Sequence, residues 1–431
     1  MKSEIPIEKF DTVIIGAGPA GLMAAIEAHT PDHKTAVLEK MPKPALKLKI
    51  TGKGRCNITN SADLQDFLKH FGKNGRFLKF AFSEFFSNDL LSFFEKSGVR
   101  FKLERGGRYF PENDSAMEIA AVLTNQVKLL GVPVLTNTKI KKIEKRTDGR
   151  FYLKTELKDG KSVLQKHFVA DQVILAAGGK SYPRTGSSGD GYFLAEKLGH
   201  TVTRLSPSLV PVKTKGSTAK KLQNLNLKNV NAAVWSGSKK AADEFGEILF
   251  TDFGVSGPAI LTLSNTIVKL LDSGQEAEIA IDLKPALDHK KLDKRLLREI
   301  KEHPRQSFKY LLKQLLPQKM IPVFIESLEI PADKKLAEIN AAERKKLRLL
   351  LKEFKLEASG YCSFEQAIIT KGGVSIKEIS PQTMESRLVK GLYFAGEIID
   401  IDADTGGFNL QAAFSTGWIA GRAVKNSICN K

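Results

Sequence analysis

The chain has 431 residues, of which 42% are apolar, so it is long enough to bury two or three hydrophobic cores. Its 67 Lys and Arg against 48 Asp and Glu give a net charge of +19, which favours a polyanionic partner unless the excess is only a solubilising surface. The N-terminus has no apolar signal core, no apolar run reaches roughly 18 residues, and the three cysteines are widely spaced, so we expect a cytoplasmic protein with no membrane partner, disulfide framework or metal.

The first predicted elements are a strand, a tight turn and a helix in FDTVIIGAGPAGLMAAIEA. Gly16, Gly18 and Gly21 fit the GxGxxG pattern of a dinucleotide site. The first glycine permits the turn, the second lets the backbone approach a pyrophosphate, and the third packs the helix on the strand. Backbone N–H groups at the start of the helix would then face the phosphates.

The second predicted strand, KTAVLEK, ends at Glu39, where a carboxylate would accept the two ribose hydroxyls. It leads into residues 40–60, which hold six Lys or Arg and no acid and end in TGKGRCNITN. In such a loop, small residues let the backbone run along a pyrophosphate while cations offset the phosphate charge. Gly52, Gly54 and Arg55 fit those roles.

Two later glycine-rich stretches favour FAD over NAD. VILAAGGKSYPRTGSSGDGYFLAEKLG is a buried strand that runs into Gly178 and Gly179 and a second turn before a helix. GLYFAGEIIDIDADTGGFNLQAAFSTGWIAGRAV has a strand ending at Gly396 and Glu397, an acidic loop, and a glycine pair that opens an apolar helix. The start of such a helix would stabilise negative charge on a reduced isoalloxazine ring, which a nicotinamide does not require. Either stretch alone would also suit a loop that closes a Rossmann-type sheet.

Six motifs carry a resemblance to a known family along nearly the whole chain. They are GAGPAG, TGKGRCNITN, GRYFP, AAGGKSYPRTGSSGDGY, FTDFGVSGPAIL and GGFNLQAAFSTGWIAG. They resemble the BaiN/RdsA-type FAD-dependent oxidoreductases, which include aminoacetone oxidase and a branch of flavoprotein dihydrouridine synthases acting on ribosomal RNA. The usual form of the second motif has three consecutive glycines before Arg-Cys-Asn. Here Lys53 replaces the middle glycine, and lysine adopts positive φ poorly.

The resemblance implies an α/β fold with a glutathione-reductase-type, Rossmann-like FAD-binding domain, an inserted β-rich, barrel-like domain and a small helical domain. Runs such as AAVWSG and EILFTDFG favour strands in the inserted part, and KLDKRLLREIKEH and AAERKKLRLLLKEF favour amphipathic helices punctuated by prolines. The predicted boundaries are 1–199 with 372–431 for the FAD-binding domain, 200–285 with 356–371 for the β-rich domain, and 286–355 for the basic helical domain.

The motifs and the resemblance together predict one non-covalently bound FAD. Its binding residues are expected in the first glycine turn, at the end of the second strand, in the loop that follows it, and in the two later glycine-rich stretches. The predicted set is Gly16, Gly18, Pro19, Ala20, Gly21, Glu39, Lys40, Lys47, Gly52, Gly54, Arg55, Cys56, Ile143, Ala177, Gly178, Gly179, Gly396, Glu397, Asp400, Gly406, Gly407, Asn409, Leu410 and Gln411.

The predicted catalytic residues are Cys56, Arg55, Tyr109 and Tyr182. Neighbouring cations are expected to lower the pKa of the Cys56 thiol, which would make it a proton donor beside a reduced flavin; the alternative is a small buried packing residue. The two tyrosines are the next candidates for the acid. Arg55 would hold an RNA phosphate or polarise a carbonyl.

The resemblance implies three hydride transfers at flavin N5: reduction of a uridine to dihydrouridine in large-subunit ribosomal RNA, reduction of an enone in steroid-like acids, and oxidation of an aminoketone. Charge favours the first, because residues 284–355 hold 19 Lys and Arg against 10 Asp and Glu, and RNA binding draws its affinity from cations on phosphates. The alternatives are a small-molecule oxidase or ene-reductase, and a non-catalytic flavin-binding RNA module. Without a second GxGxxG, NADH or NADPH would dock transiently as the electron donor, or another protein would deliver the electrons.

Overall fold

The computed structural model describes residues 5–160 and 162–429. The chain divides into two compact units, the first formed by Met1–Pro207 and Ala367–Lys431 and the second by Ser208–Gln366. The strands are β1 (Ile7–Ile15), β2 (Thr35–Leu38), β3 (Thr59–Asn60), β4 (Phe101–Glu104), β5 (Arg108–Pro111), β6 (Val134–Leu135), β7 (Thr138–Lys145), β8 (Phe151–Asp159), β9 (Ser162–Leu175), β10 (Ser206–Ser208), β11 (Val212–Thr214), β12 (Asn226–Ser236), β13 (Lys239–Phe250), β14 (Gly254–Ser256), β15 (Glu278–Asp282), β16 (Phe354–Tyr361), β17 (Ile369–Lys371) and β18 (Leu392–Phe394). The α-helices are α1 (Pro19–Ala28), α2 (Leu46–Ile50), α3 (Leu64–Lys69), α4 (Lys79–Glu84), α5 (Ser87–Glu95), α6 (Ala116–Leu129), α7 (Asp190–Lys197), α8 (Thr218–Lys221), α9 (Pro258–Asp272), α10 (His289–Glu302), α11 (Phe308–Leu315), α12 (Met320–Leu328), α13 (Ala341–Lys352) and α14 (Phe408–Cys429).

The first unit is built on a parallel sheet in the order β6-β2-β1-β9-β18. Its central strands are buried on both faces, as Val13, Ile14, Val173 and Ile174 show. Double burial of this kind is typical of a parallel sheet that is covered by helices. The loops that follow β1, β2, β9 and β18 begin at the carboxyl ends of these parallel strands, which lie on the same side of the sheet, and they carry the glycine motifs.

Strand β9 joins this sheet to an antiparallel meander. Its first half pairs with β8, which pairs with β7, and its second half pairs with β1 and β18. A separate, smaller sheet in the order β3-β5-β4 contains the β4–β5 hairpin. This arrangement confirms the predicted Rossmann-like α/β architecture.

Helices α1 and α14 pack closely in the first unit, although nearly 390 residues separate their starts. A Cβ atom at Gly417 would lie 2.3 Å from the carbonyl oxygen of Ala20, and one at Gly421 would lie 2.6 Å from that of Ala24. Glycine at these positions, one helical turn apart, therefore permits the close approach of the two backbones. Among the described residues, no helix is both long enough and apolar enough to span a membrane.

The second unit contains a closed barrel in the order β11-β14-β13-β12-β15-β16. Its interior is filled by fully buried apolar side chains, including Val234, Phe250 and Ile279. The barrel confirms the barrel-like, β-rich prediction. The interpretation of residues 200–285 as short strands missed α9, a 15-residue helix that begins with Pro258 at its first position.

Helices α10–α13 form the basic part of the second unit. Asp288 caps α10 by accepting a hydrogen bond from the Lys291 N–H at 2.7 Å, and Asn340 caps α13 in the same way. The apolar face of α10 buries Leu292 and Leu296. Pro322, which was expected to separate helices, lies in the first turn of α12, where its missing N–H costs no helical hydrogen bond.

The opposite face of α10 carries Lys290, Lys294, Arg298 and Lys301, all exposed, which we call the basic stripe. Their spacing of four, four and three residues places them along one side of a helix. Asp293 lies on another side of α10 and forms ion pairs with Arg344 at 3.1 Å and with Arg348 at 3.5 Å. The division of this unit into separate β-rich and helical domains stays a prediction.

Candidate cofactor site

The first unit contains a cleft with about 1220 Å³ of empty space, counted to its open mouth. The glycine turn after β1, the ends of β2, β9 and β18, helix α2 and the first half of α14 form its walls. Its lining is mostly apolar with a few charged groups, as is typical of cofactor sites.

The three glycines of the first turn have different environments. Gly16 has φ +104°, and a Cβ atom there would lie 2.4 Å from the carbonyl oxygen of Ala176. A Cβ atom at Gly21 would lie 1.9 Å from the carbonyl oxygen of Gly16, so this glycine allows α1 to pack on the turn. A Cβ atom at Gly18 would meet no protein atom within 4 Å, and Gly18 lines the cleft. The space beside Gly18 is therefore a cradle that a side chain would fill.

The start of α1 is suited to bind an anion. Its N-cap is Gly18, no side chain caps the first turn, and no acid lies there. The free N–H groups of a helix start, together with its dipole, attract phosphate. The donors and the cradle at Gly18 fit the pyrophosphate of a dinucleotide.

Glu39 lines the cleft beside this turn. Its carboxylate accepts the N–H groups of Ala17 and Met41, each at 2.8 Å, which fixes its orientation. Burial raises the pKa of the Glu39 carboxyl, and the hydrogen bonds from the two N–H groups partly oppose that rise. Each oxygen keeps a lone pair for a sugar hydroxyl. Lys40, also in the lining, is already held by Ser188 and Asp190.

A polar network that the sequence did not predict includes two residues of the cleft lining, Lys47 and Glu397. Lys47 Nζ donates to Glu397 Oε2 and to Ser181 Oγ, both at 2.6 Å. Glu397 Oε1 accepts from Ser181 Oγ and from the Thr370 N–H, both at 2.8 Å. Ser181 and Thr370 were missed because they lie over a hundred residues from Lys47 and nearly two hundred from each other.

The loop TGKGRCNITN makes a short 3₁₀ turn at Thr51–Gly54 in which three successive residues are left-handed. Gly52, Lys53 and Gly54 have φ values of +58°, +60° and +87°. Lys53 therefore keeps the conformation that suits glycine, at the steric cost of its Cβ atom. Lysine in place of the family's usual glycine therefore adds a side chain to this loop and leaves its left-handed backbone conformation unchanged.

Arg55 is engaged by the β4–β5 hairpin. Its guanidinium forms ion pairs with Glu104 and, at 2.7 Å, with Asp114, and it lies 4.1 Å from the centre of the Phe110 ring. These contacts stabilise the loop against the hairpin. They also occupy the donors that the sequence assigned to a phosphate.

The expected fall in the pKa of Cys56 is wrong. The side chain has no exposed surface, and burial raises the pKa of its thiol to about 12. The cation beside it in the sequence does not oppose this shift, because Arg55 is paired with carboxylates of the hairpin. The environment is that of the alternative interpretation, a small buried packing residue.

Two asparagines tie this loop to the start of α14. Asn60 Nδ2 donates to the carbonyl oxygens of Gly106 at 2.9 Å and Gly406 at 3.0 Å. With its amide oriented to satisfy both of its groups, Asn57 accepts a hydrogen bond from the Gly407 N–H at 3.0 Å. A Cβ atom at Gly407 would lie 2.5 Å from the Thr59 carbonyl oxygen, so the backbones touch there. The loop, the hairpin turn and the start of α14 are thus held together.

The structure brings half of the predicted cofactor-binding residues into the lining of the cleft. These are Gly16, Gly18, Pro19, Ala20, Glu39, Lys40, Lys47, Ala177, Gly178, Gly396, Glu397 and Asn409. The other predicted residues lie outside the lining: Gly21, Gly52, Gly54, Arg55, Cys56, Ile143, Gly179, Asp400, Gly406, Gly407, Leu410 and Gln411.

Two of the residues outside the lining have evident structural roles. Ile143 is a core residue of β7, and its neighbours Lys139 and Ile140 line the cleft instead. Gln411 is fully buried and accepts a hydrogen bond from Thr59 Oγ1 at 2.6 Å. Which of several neighbouring residues lines the cleft depends on the direction of its side chain. That direction follows from the exact position of the residue in its strand or helix, which the sequence alone did not give.

None of the predicted catalytic side chains lines the cleft. Tyr109 lies on β5, paired with Thr59 of β3, and packs partly buried against the core of the first unit. Tyr182 is partly exposed, has φ +51°, and follows Ser181 of the polar network. Within residues 5–160 and 162–429, no group of three or more His, Cys, Asp or Glu side chains is arranged to hold a metal ion.

Comparison with known proteins agrees with this geometry. The chain is 32% identical to the 3-dehydro-bile acid delta(4,6)-reductase of Clostridium scindens over 95% of this chain and 98% of that protein. It is 30% identical to the ribosomal RNA dihydrouridine synthase of Escherichia coli over 96% of this chain and 97% of that protein. A 3-ketosteroid-delta4-(5alpha)-dehydrogenase structure from Rhodococcus jostii RHA1 superposes with a TM-score of 0.53 at 14% identity, covering 99% of this chain and 98% of that one, which shows a shared fold.

The family described as HI0933-like protein Rossmann domain matches residues 10–423. Its span includes the glycine turn, the cleft and the start of α14, and it agrees with the resemblance that the six motifs carry. The chain belongs to this HI0933-like, BaiN/RdsA-type family and is an FAD-dependent oxidoreductase.

Proposed function

We propose that this chain reduces a uridine of large-subunit ribosomal RNA to dihydrouridine. The observation that carries the proposal is the basic stripe of α10, four exposed cations on one side of a helix. Cations in such a row neutralise the phosphates of RNA and draw their affinity from counterion release. The relative from Escherichia coli bears the name of this activity.

A second candidate is the reduction of a small enone. The slightly higher identity to the bile acid reductase favours it. The two relatives differ by only two percentage points, 32% against 30%, so identity does not separate the two substrates. The basic stripe supports RNA as the substrate, since a small steroid acid carries one charge and gains nothing from a row of cations.

For FAD itself, we assign the pyrophosphate to the cradle at Gly18 and the start of α1, and the adenosine ribose to Glu39. Lys47 and Glu397, which line the same cleft, would offer further polar contacts to the cofactor. The start of α14 would provide N–H donors and a positive dipole end for the ring. FAD supplies the hydride, from N5 of its reduced ring.

Reducing a uracil base also requires a proton at C5 and a donor to the O4 oxygen, where negative charge develops. Arg55 is fixed by its ion pairs with Glu104 and Asp114, so its role is to hold the loop. Any contact of Arg55 to a substrate carbonyl would use an N–H group that these ion pairs leave free. Cys56 is a poor proton donor at neutral pH because it is buried and its pKa is about 12. With the thiol set aside, we propose the phenols of Tyr109 and Tyr182 as the remaining candidates for the acid.

We expect Cys56→Ala to change dihydrouridine formation by less than about threefold, because a buried thiol does not reach the substrate. Removal of the true acid lowers the rate by about 10²-fold or more. We expect that loss in either Tyr109→Phe or Tyr182→Phe, with unchanged FAD content and RNA affinity. A 10²-fold loss in Cys56→Ala with normal FAD content would return the acid role to the thiol.

The proposal is tested by comparing ribosomal RNA from cells with and without the gene by mass spectrometry. We expect one dihydrouridine of large-subunit RNA to disappear without the gene and to return when RNA from the deletion strain is incubated with the purified protein and NADH or NADPH. A parallel assay with a 3-keto-4-ene steroid acid distinguishes the second candidate. Reductant consumption with the steroid alone would overturn the RNA assignment, and no consumption with either substrate would indicate a non-catalytic flavin-binding module.

A further inference from the structure

We propose that the turn of the β4–β5 hairpin and the neighbouring Lys53 form a phosphate-binding rim for the RNA strand that carries the target base. The rim consists of two cations of the first unit, Lys53 and Arg108. This inference rests on the proposed function and adds to it a second contact surface, separate from the basic stripe.

The hairpin turn is tightly built. The register pairs Glu104 with Arg108, so three residues make the turn. Gly106 and Gly107 have φ values of +78° and +71°, and a Cβ atom at Gly107 would lie 2.5 Å from Asn60 Oδ1. Arg108 Nε donates to the Arg105 carbonyl oxygen at 3.0 Å, which orients the guanidinium at the base of the turn.

The turn is held beside the start of α14. Asn60 Nδ2 bridges the carbonyl oxygens of Gly106 and Gly406, and the Ser61 N–H donates to the Gly107 carbonyl oxygen at 2.7 Å. Gly406 opens the helix whose first residues line the cleft. A strand bound along the turn would therefore run past the end of the cleft where α14 begins.

The guanidinium of Arg108 and the backbone just before Lys53 both lie near the Phe110 ring. The guanidinium of Arg108 lies 5.7 Å from the centre of the Phe110 ring. Lys53 follows Gly52, where a Cβ atom would lie 3.6 Å from Cε1 of the same ring. Lys53 is exposed and Arg108 partly so, which leaves both charges accessible to an anion.

The acids of the hairpin are already neutralised. Glu104 pairs with Arg55, Asp114 pairs with Arg55 and with Lys102, and Glu112 pairs with Arg100. Lys53 and Arg108, by contrast, have no carboxylate at ion-pair distance in the part of the chain that the structure describes. The rim thus keeps uncompensated positive charge.

A phosphate backbone fits this rim better than a single small anion does. A base must be splayed from its neighbours before its ring is accessible, and the flanking phosphates must be held while this happens. Two separated cations match the successive phosphates of a single strand, which binds proteins through cations along its backbone.

The test uses two variants of the full-length, FAD-loaded protein, Lys53→Gly and the double variant Lys53→Gly/Arg108→Ala. Glycine at residue 53 removes the charge and also relieves the left-handed φ, so weaker binding by Lys53→Gly does not come from unfolding. The control is Lys34→Ala/Lys128→Ala, which removes two exposed cations at the start of β2 and in the last turn of α6.

Affinity is measured across a salt series with large-subunit ribosomal RNA transcribed in vitro. We expect the double variant to flatten the slope of log K against log salt by about 1.4, the value for two single-strand phosphate contacts at roughly 0.7 each. The control should keep the parental slope. FAD content should be parental in every variant, and the melting temperature of Lys53→Gly should not fall.

An unchanged slope in the double variant, with a parent that binds RNA and forms dihydrouridine, would overturn the rim and leave the proposed function intact. A parent that neither binds the transcript nor forms dihydrouridine would overturn the proposed function itself. Equal effects in the double variant and the control would show a general effect of charge, which also contradicts the rim.

Discussion

Gly18→Val should purify without FAD and otherwise keep its fold. The backbone at Gly18 is extended, with φ −84° and ψ −176°, so a β-branched residue is accommodated without strain. Its side chain would occupy the cradle at the start of α1, where no protein atom lies within 4 Å. Loss of two or more charge-assisted hydrogen bonds to a pyrophosphate, at about 1.5–3 kcal/mol each, lowers affinity by roughly 10²-fold or more.

The measurement is the FAD released by acid precipitation, relative to protein, for parent and variant. Circular dichroism and urea unfolding of the flavin-free forms report on the fold, because bound FAD would itself stabilise the parent. Gly21→Ala is the contrasting variant: its Cβ atom would lie 1.9 Å from the Gly16 carbonyl oxygen, so it should lose the fold and the flavin together. Stoichiometric FAD in Gly18→Val would contradict the pyrophosphate assignment.

Reversal of the basic stripe, Lys290→Glu, Lys294→Glu, Arg298→Glu and Lys301→Glu, should weaken RNA binding by more than about 10²-fold at 0.1 M salt. Each phosphate that is no longer neutralised flattens the salt slope by roughly 0.7 to 0.9, so four phosphates account for about 3. The net charge falls from +19 by eight to +11. FAD content should not change, because the stripe and the cleft lie in different units.

A matched control reverses four exposed cations scattered over the barrel and its helices, Lys220, Lys228, Lys239 and Lys269, for the same change in net charge. We expect it to keep most of the RNA affinity. Arg348 is left out of both sets because it pairs with Asp293, and reversing it would break an ion pair between α10 and α13. Equal affinity of the stripe variant and the parent across the salt series would make the stripe a solvated surface.

Local patterns predicted the parts of the site that depend on the backbone. The roles of Gly16 and Gly21, the position of Glu39 after β2 and the start of α14 after a glycine pair follow from a few neighbouring residues. Such features need no knowledge of distant contacts, since a tight turn or a helix start has nearly the same requirements wherever it occurs.

Properties that depend on distant partners were not predictable. The cation beside Cys56 suggested a low thiol pKa, but Arg55 pairs with residues 49 and 59 positions later, and burial dominates. The network that joins Lys47, Ser181 and Glu397 unites three segments of the sequence for the same reason. Helix α9 was missed because it lies in a region that otherwise reads as short strands separated by turns.

The packing of α1 against α14 has a consequence for how the protein is made. During synthesis, α1 and its glycine turn leave the ribosome long before α14, because the intervening second unit adds about 160 residues. Translation at about 5–20 residues per second separates the two helices by tens of seconds. Until α14 arrives with Gly417 and Gly421, the part of α1 that packs against these glycines is uncovered, and one wall of the cleft is missing. Flavin loading is therefore an event that follows translation, and a nascent chain halted inside the second unit should bind none.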